Sequence, residues 1–168
     1  MFEILNLLGA TKKSIALETK LGNPIENEIA PEPSVRNIKK DEILYKNNAN
    51  KWARRVQAIG RYNCFGLVWA NRRTSIYSES ARKLILADDG YREILLMGVP
   101  YPDDLIVYED MDSNCVIHIG KVLMVKDSEI KILSKWDDSS GEYIHSPEDS
   151  PYRKVFPSLR TYYITERR

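Results

Sequence analysis

The chain has 168 residues, is 43% hydrophobic and carries a formal net charge of +1. That length suits one domain with a sizeable core, and balanced charge gives no electrostatic case for nucleic acid or a lipid surface as partner. No run of about 18 apolar residues is present to span a bilayer, and residues 1–10, apolar but carrying Glu3 and no leading basic residues, make a poor export signal. The expectation is a cytoplasmic protein, or one delivered without a conventional signal peptide.

Residues 1–40 read as an N-terminal arm or linker, a possible contact for a partner or parent protein, and residues 41–168 as the domain. Within the arm, residues 2–8 suggest a short helix ended by Gly9, followed by a polar segment punctuated by Pro24, Pro31 and Pro33. Residues 41–59 read as a helix, with Trp52, Val56 and Ile59 at helical spacing and Gly60 closing it. A buried helix is expected from Cys64 to about Arg73, and another over 78–87, ended by Asp88-Asp89-Gly90. The pattern then becomes two-residue alternation. Strands are expected over 105–108, 115–125, 129–136, 142–145 and 159–165, with turns at Asp127-Ser128 and Ser139-Ser140-Gly141. Helices first and an antiparallel meander second define an α+β chain. Ten tyrosines and three tryptophans suit aromatic packing in the β-rich half.

Cys64 and Cys115 read as free thiols, since a domain of this size needs no staple. Cys64 stands at the start of an apolar helix with Gly66 two residues on. There the first N–H groups and the helix dipole favour a thiolate, the form that attacks carbon. A cysteine filling a small apolar slot is the competing explanation. The chain has two histidines. His118 lies in the expected strand 115–125 among apolar neighbours, where an imidazole needs a partner. Gly120, two residues on, allows another backbone to come close, and the Cys64 helix start is one candidate. Trp52, Trp69 and Trp136 read as core or cleft wall. The acidic residues fit no calcium loop, and two cysteines and two histidines so widely spaced make no usual zinc site. No metal or cofactor is implied.

Three short motifs resemble the papain-fold amidases of the NlpC/P60 type. Cys64-Phe65-Gly66-Leu67-Val68 resembles their nucleophile motif, Pro102-Asp103-Asp104-Leu105-Ile106-Val107-Tyr108 the strand that follows, and His118-Ile119-Gly120-Lys121-Val122 their histidine strand. The matches keep the family's order over residues 60 to 146. The resemblance implies a papain-like α+β fold, with N-terminal helices, one bearing the cysteine, on an antiparallel meander. It implies a cysteine peptidase or amidase acting through a thioester, with Cys64 as nucleophile and His118 as base. The substrate would be a peptidoglycan peptide or a protein or isopeptide bond; in the second case the chain could be a toxin or effector domain. The alternatives are a non-enzymatic binding or regulatory module on the same fold, and an acyltransferase or deamidase.

A third residue should orient His118. A two-residue turn at Asp127-Ser128 pairs Lys126 with Glu129 and hence His118 with Asp137, unless a bulge shifts the register. Matching the family's strand instead puts Ser134 in that role, and His145 is the remaining candidate. For the oxyanion, the Cys64 N–H is the first donor, with Gln57, as upstream glutamines serve in papain-like enzymes, or Tyr62 or Asn63 as a second.

Overall fold

The computed structural model describes residues 13–95 and 98–166, so the helix expected over 2–8 lies outside the described residues. Residues 13–33 cross the domain as an extended strap without helix or strand. Main-chain hydrogen bonds tie Glu28 to Ser75 and Ala30 to Arg61, and Ile25 and Ala30 are buried. Gly60 serves this strap rather than a helix end: a Cβ there would lie 2.1 Å from the Pro31 carbonyl oxygen.

Helix α1 (Val35–Lys46) is capped by Ser34, whose side chain accepts from the Asn37 N–H. It begins and ends earlier than the expected 41–59 helix. The asparagines Asn47, Asn48 and Asn50 turn the chain, and Ala53–Val56 becomes strand β1. Helix α2 (Cys64–Trp69) is shorter than expected because Asn71 and Arg72 take positive φ values of 47° and 65°. Helix α3 (Glu79–Asp88) is capped by Ser78. Strands β2 (Arg92–Glu93), β3 (Leu105–Asp110), β4 (Cys115–Lys126), β5 (Glu129–Lys135), β6 (Glu142–His145) and β7 (Leu159–Thr165) follow, with the short helix α4 (Tyr152–Val155) before β7.

The strands form one antiparallel sheet in the order β1-β6-β5-β4-β3-β7-β2. The expected meander is its centre; β1 and β7 extend it at either side. The fold is thus α+β. Asp127 and Ser128 both have positive φ and pair Lys126 with Glu129, as their sequence suggested. A bulge then intervenes: Val122 pairs with Ile132 but Met124 with Lys131, leaving Leu123 as the extra residue.

One sheet face carries Leu105, Val107, Ile119 and Ile164 against Cys64 and Phe65 of α2 and Ala81 and Ile85 of α3. Ile106, Tyr108, Val122 and Ile132 form the opposite cluster. Trp52, Trp136 and Tyr143 gather beside α1. Among the described residues no helix is long and apolar enough to cross a membrane.

Candidate active site

Cys64 is the first residue of α2, and Asn63 builds that start. The Asn63 side-chain oxygen accepts from Gly66 N–H at 2.9 Å and Ile76 N–H at 3.2 Å, while its amide donates to the Ile76 carbonyl at 3.0 Å. Gly66 is obligatory for a packing reason: a Cβ would lie 1.7 Å from the Thr74 carbonyl oxygen. These contacts lock the cysteine into the core beside Ile119 of β4, whose main-chain N–H favours the thiolate form. Strand N–H groups point along the sheet plane toward the neighbouring strand. The β4–β5 ladder ends at Lys121–Leu133, so Ile119, one residue from His118, stands beyond the paired stretch.

His118 is fully buried on β4. Its Nε2 lies 3.1 Å from Ser134 Oγ, and Ser134 Oγ lies 2.9 Å from His145 Nε2. His145 Nδ1 lies 2.7 Å from the Ser146 carbonyl oxygen. The other nitrogen of His118, Nδ1, is buried and makes no hydrogen bond among the described residues. Gly120 opens this route: a Cβ there would lie 2.7 Å from Ser134 Oγ and 2.6 Å from Ile132 Cγ2. The close approach it permits is therefore made by β5, and not by the Cys64 helix as the sequence suggested. The ring of His118 is boxed in by Tyr152, Tyr108 and Trp136, with centroids at 4.8, 5.4 and 5.4 Å. The Tyr152 hydroxyl donates to the Trp136 carbonyl.

Of the three candidates for the third position, Ser134 meets His118 and His145 stands behind it. Asp137 does not. It is exposed, and its carboxylate accepts from the Ser139 N–H at 2.7 Å and the Ser139 hydroxyl at 2.9 Å. It lines a cleft of about 150 Å³ with Asn37, Lys40 and Asp41, away from His118. The Leu123 bulge is the cause, since it shifts the register by one. Gln57 lies exposed just past β1. Tyr62 and Asn63 are committed elsewhere: the Tyr62 hydroxyl donates to Glu142 Oε1 at 2.6 Å, and the Asn63 amide is used in the α2 cap. Of the expected oxyanion donors, the Cys64 N–H is the candidate that remains. Tyr152 was missed by sequence reasoning because a tyrosine in an irregular stretch carries no periodic signal.

The electrostatics differ from the thiolate–imidazolium pair expected. Burial pushes the Cys64 thiol up to about 11, against the opposing pull of the Ile119 and Phe65 N–H groups and the Arg82 charge. A two-turn helix does not offset that desolvation. Burial, with the neighbouring His145, holds His118 well below the ordinary imidazole range. Burial likewise pushes His145 down to about 4. At neutral pH both groups are therefore uncharged, Cys64 as the thiol and His118 as the neutral imidazole. Both cysteines are free. Among the described residues no group of three or more His, Cys, Asp or Glu could hold a metal ion.

No family model matches the chain, and no curated protein or solved structure matches it at a significant level.

Proposed function

We propose that this chain is a papain-like cysteine hydrolase that cleaves an amide bond, with Cys64 as nucleophile, His118 as general base and Ser134 as the residue that positions the base. The observation that carries this reading is the bare Nδ1 of His118, buried without a partner on β4 one residue from Ile119, whose N–H favours the Cys64 thiolate. An orphaned buried acceptor costs roughly 1–3 kcal/mol, and buried polar atoms are as a rule paired. A general base keeps one nitrogen free for the proton it will take.

The uncharged resting pair implies base-assisted attack in place of a standing ion pair. Nδ1 takes the thiol proton as sulfur adds to the carbonyl carbon, and the Cys64 N–H stabilises the oxyanion. Collapse expels the amine, which takes the proton back from Nδ1, and leaves a thioester on sulfur. Water, deprotonated by the same nitrogen, then releases the acid. Sulfur and Nδ1 are not hydrogen-bonded at rest, and Tyr152 covers the ring, so substrate entry requires Tyr152 to give way. A peptidoglycan peptide or a protein isopeptide fits the reaction class, the latter as substrate of a toxin or effector domain.

The second reading, an inert module on the same fold, draws on the burial of Cys64 and its raised thiol. The two separate in one experiment with p-nitrophenyl acetate, an acyl donor small enough for a tight site. A hydrolase acylates Cys64 faster than Cys115, as mapped by mass spectrometry, and His118→Ala slows Cys64 alone by 10²-fold or more. Acylation of Cys64 no faster than Cys115, unchanged by His118→Ala, would refute the hydrolase.

A further inference from the structure

We infer that His145 is a positioning residue that fixes the tautomer of His118 through Ser134, so that the Ser146 carbonyl decides which nitrogen of His118 is left bare. The inference rests on the hydrolase reading for its purpose, but its geometry stands alone. The Ser146 carbonyl can only accept, so His145 Nδ1, 2.7 Å away, must carry a proton. Burial keeps His145 neutral, so its Nε2 has only a lone pair. The Ser134 hydroxyl, 2.9 Å from that lone pair, sends its single proton there. Ser134 Oγ then offers His118 Nε2 only a lone pair across 3.1 Å, and Nε2 must be the protonated nitrogen. The Nδ1 of His118 is left as the acceptor. Each step follows from the donor inventory of the preceding group, and reversing any one of them leaves two protons or two lone pairs face to face.

Position and order are held as firmly as polarity. The Trp136 ring lies 4.7 Å from His145 and 5.4 Å from His118, and both histidines, with Ser134, are fully buried. A serine suits this place better than an acid. A carboxylate at position 134 would draw a charge onto His118, whereas a hydroxyl hands on the polarity set behind it.

The test is nitrogen NMR on protein labelled with ¹⁵N only in histidine. With two histidines in the chain, there are two ring systems to assign. The expected spectrum of the wild type has both rings neutral at pH 7, with His118 protonated at Nε2 and bare at Nδ1. In His145→Phe the Ser134 hydroxyl loses its acceptor and turns to donate to His118 Nε2, so the His118 proton moves to Nδ1. Cys64 acylation by p-nitrophenyl acetate then falls on the order of 10²-fold or more, since a wrong tautomer cannot take the thiol proton. A wild-type spectrum with His118 protonated at Nδ1 overturns the inference, and that measurement needs no variant to fold. So does a folded His145→Phe protein whose His118 tautomer is unchanged, which a merely space-filling His145 would give. Absence of acylation in a wild type with the expected tautomer would sink the hydrolase reading and leave this one standing.

Discussion

At the scale of single residues, the contrast between the two thiols is the most direct readout. A thiol held near 11 is ionised in roughly one molecule in 10⁴ at pH 7. Cys64 is also buried, whereas Cys115 is half-exposed at the start of β4. Iodoacetamide alkylates a thiolate already formed, so at pH 7.5 it should label Cys115 first in the native protein and Cys64 at a comparable rate only after unfolding, whereas an ester, whose attack His118 assists, acylates Cys64 first. Rapid labelling of native Cys64 would contradict the burial described. The third residue gives a second contrast. Ser134→Ala removes the partner of His118 Nε2 and should slow Cys64 acylation by about 10-fold or more, while Asp137→Asn should leave the rate unchanged. Peptide mapping with time checks both. The sequence put Cys64 at the start of a helix and His118 within a strand, where they lie, and it named Ser134 by likeness alone. What misled the register argument toward Asp137 was one extra residue, Leu123, whose bulge leaves no mark in the alternation of Val122, Leu123, Met124 and Val125. Each of those four is apolar, so no polar residue shows which one was squeezed out of the ladder.

At the scale of elements, α2 depends on tertiary contact more than on its own propensity, since six residues make too short a helix to stand alone. The contact that decides it is Gly66 against Thr74. A Cβ 1.7 Å from a fully buried carbonyl cannot be relieved by rotating a side chain, so the α2–Thr74 crossing must open. Gly66→Ala is expected to cost about 3 kcal/mol or more, a fall in Tm of roughly 10 °C for a chain of this size, read by thermal denaturation. Gly120→Ala meets three side-chain atoms instead, which can yield, and should destabilise less while displacing Ser134 from His118. Capping and turn chemistry explain which elements were legible. Ser78 and Gly90 bracket α3, and Asp127-Ser128 marks the β4–β5 turn. The 41–59 helix was misplaced because Trp52 and Val56 fit helical spacing equally well as an edge strand facing β6. There Ala53 pairs with Ile144, a contact 91 positions away that local pattern cannot register. Helix α4 is four residues long and gave no periodic signal, yet it brings Tyr152 onto the His118 ring.

At the scale of the whole molecule, the two buried histidines couple the site to folding. Both have native pKa values below the ordinary 6.5: His145 at about 4, through burial against the opposing pull of the Ser146 carbonyl, and His118 well below, through burial and the charge of His145. Above pH 7 neither state of the chain binds these protons, and they contribute no pH dependence. As the pH falls through 6.5 the unfolded chain takes up two protons that the native state refuses. Stability is thereby lost at about 1.4 kcal/mol per pH unit for each histidine. By pH 5 the loss is about 2 kcal/mol per histidine, or about 4 kcal/mol together, a large part of the 5–15 kcal/mol by which domains are held. The His145 contribution levels off near pH 4, where the native ring also protonates, and the His118 contribution runs lower. Above pH 5 the carboxylates are largely ionised in both states, so this window belongs to the histidines. Urea denaturation at pH 7.5, 6.0 and 5.0 should show the midpoint falling steadily while the slope m stays constant. In His145→Phe the fall between pH 6.5 and 5 should be about halved. A midpoint that does not move across this range would mean that at least one of these rings accepts its proton inside the fold, and so has water or a carboxylate beside it that the packing around Trp136 and Tyr152 excludes.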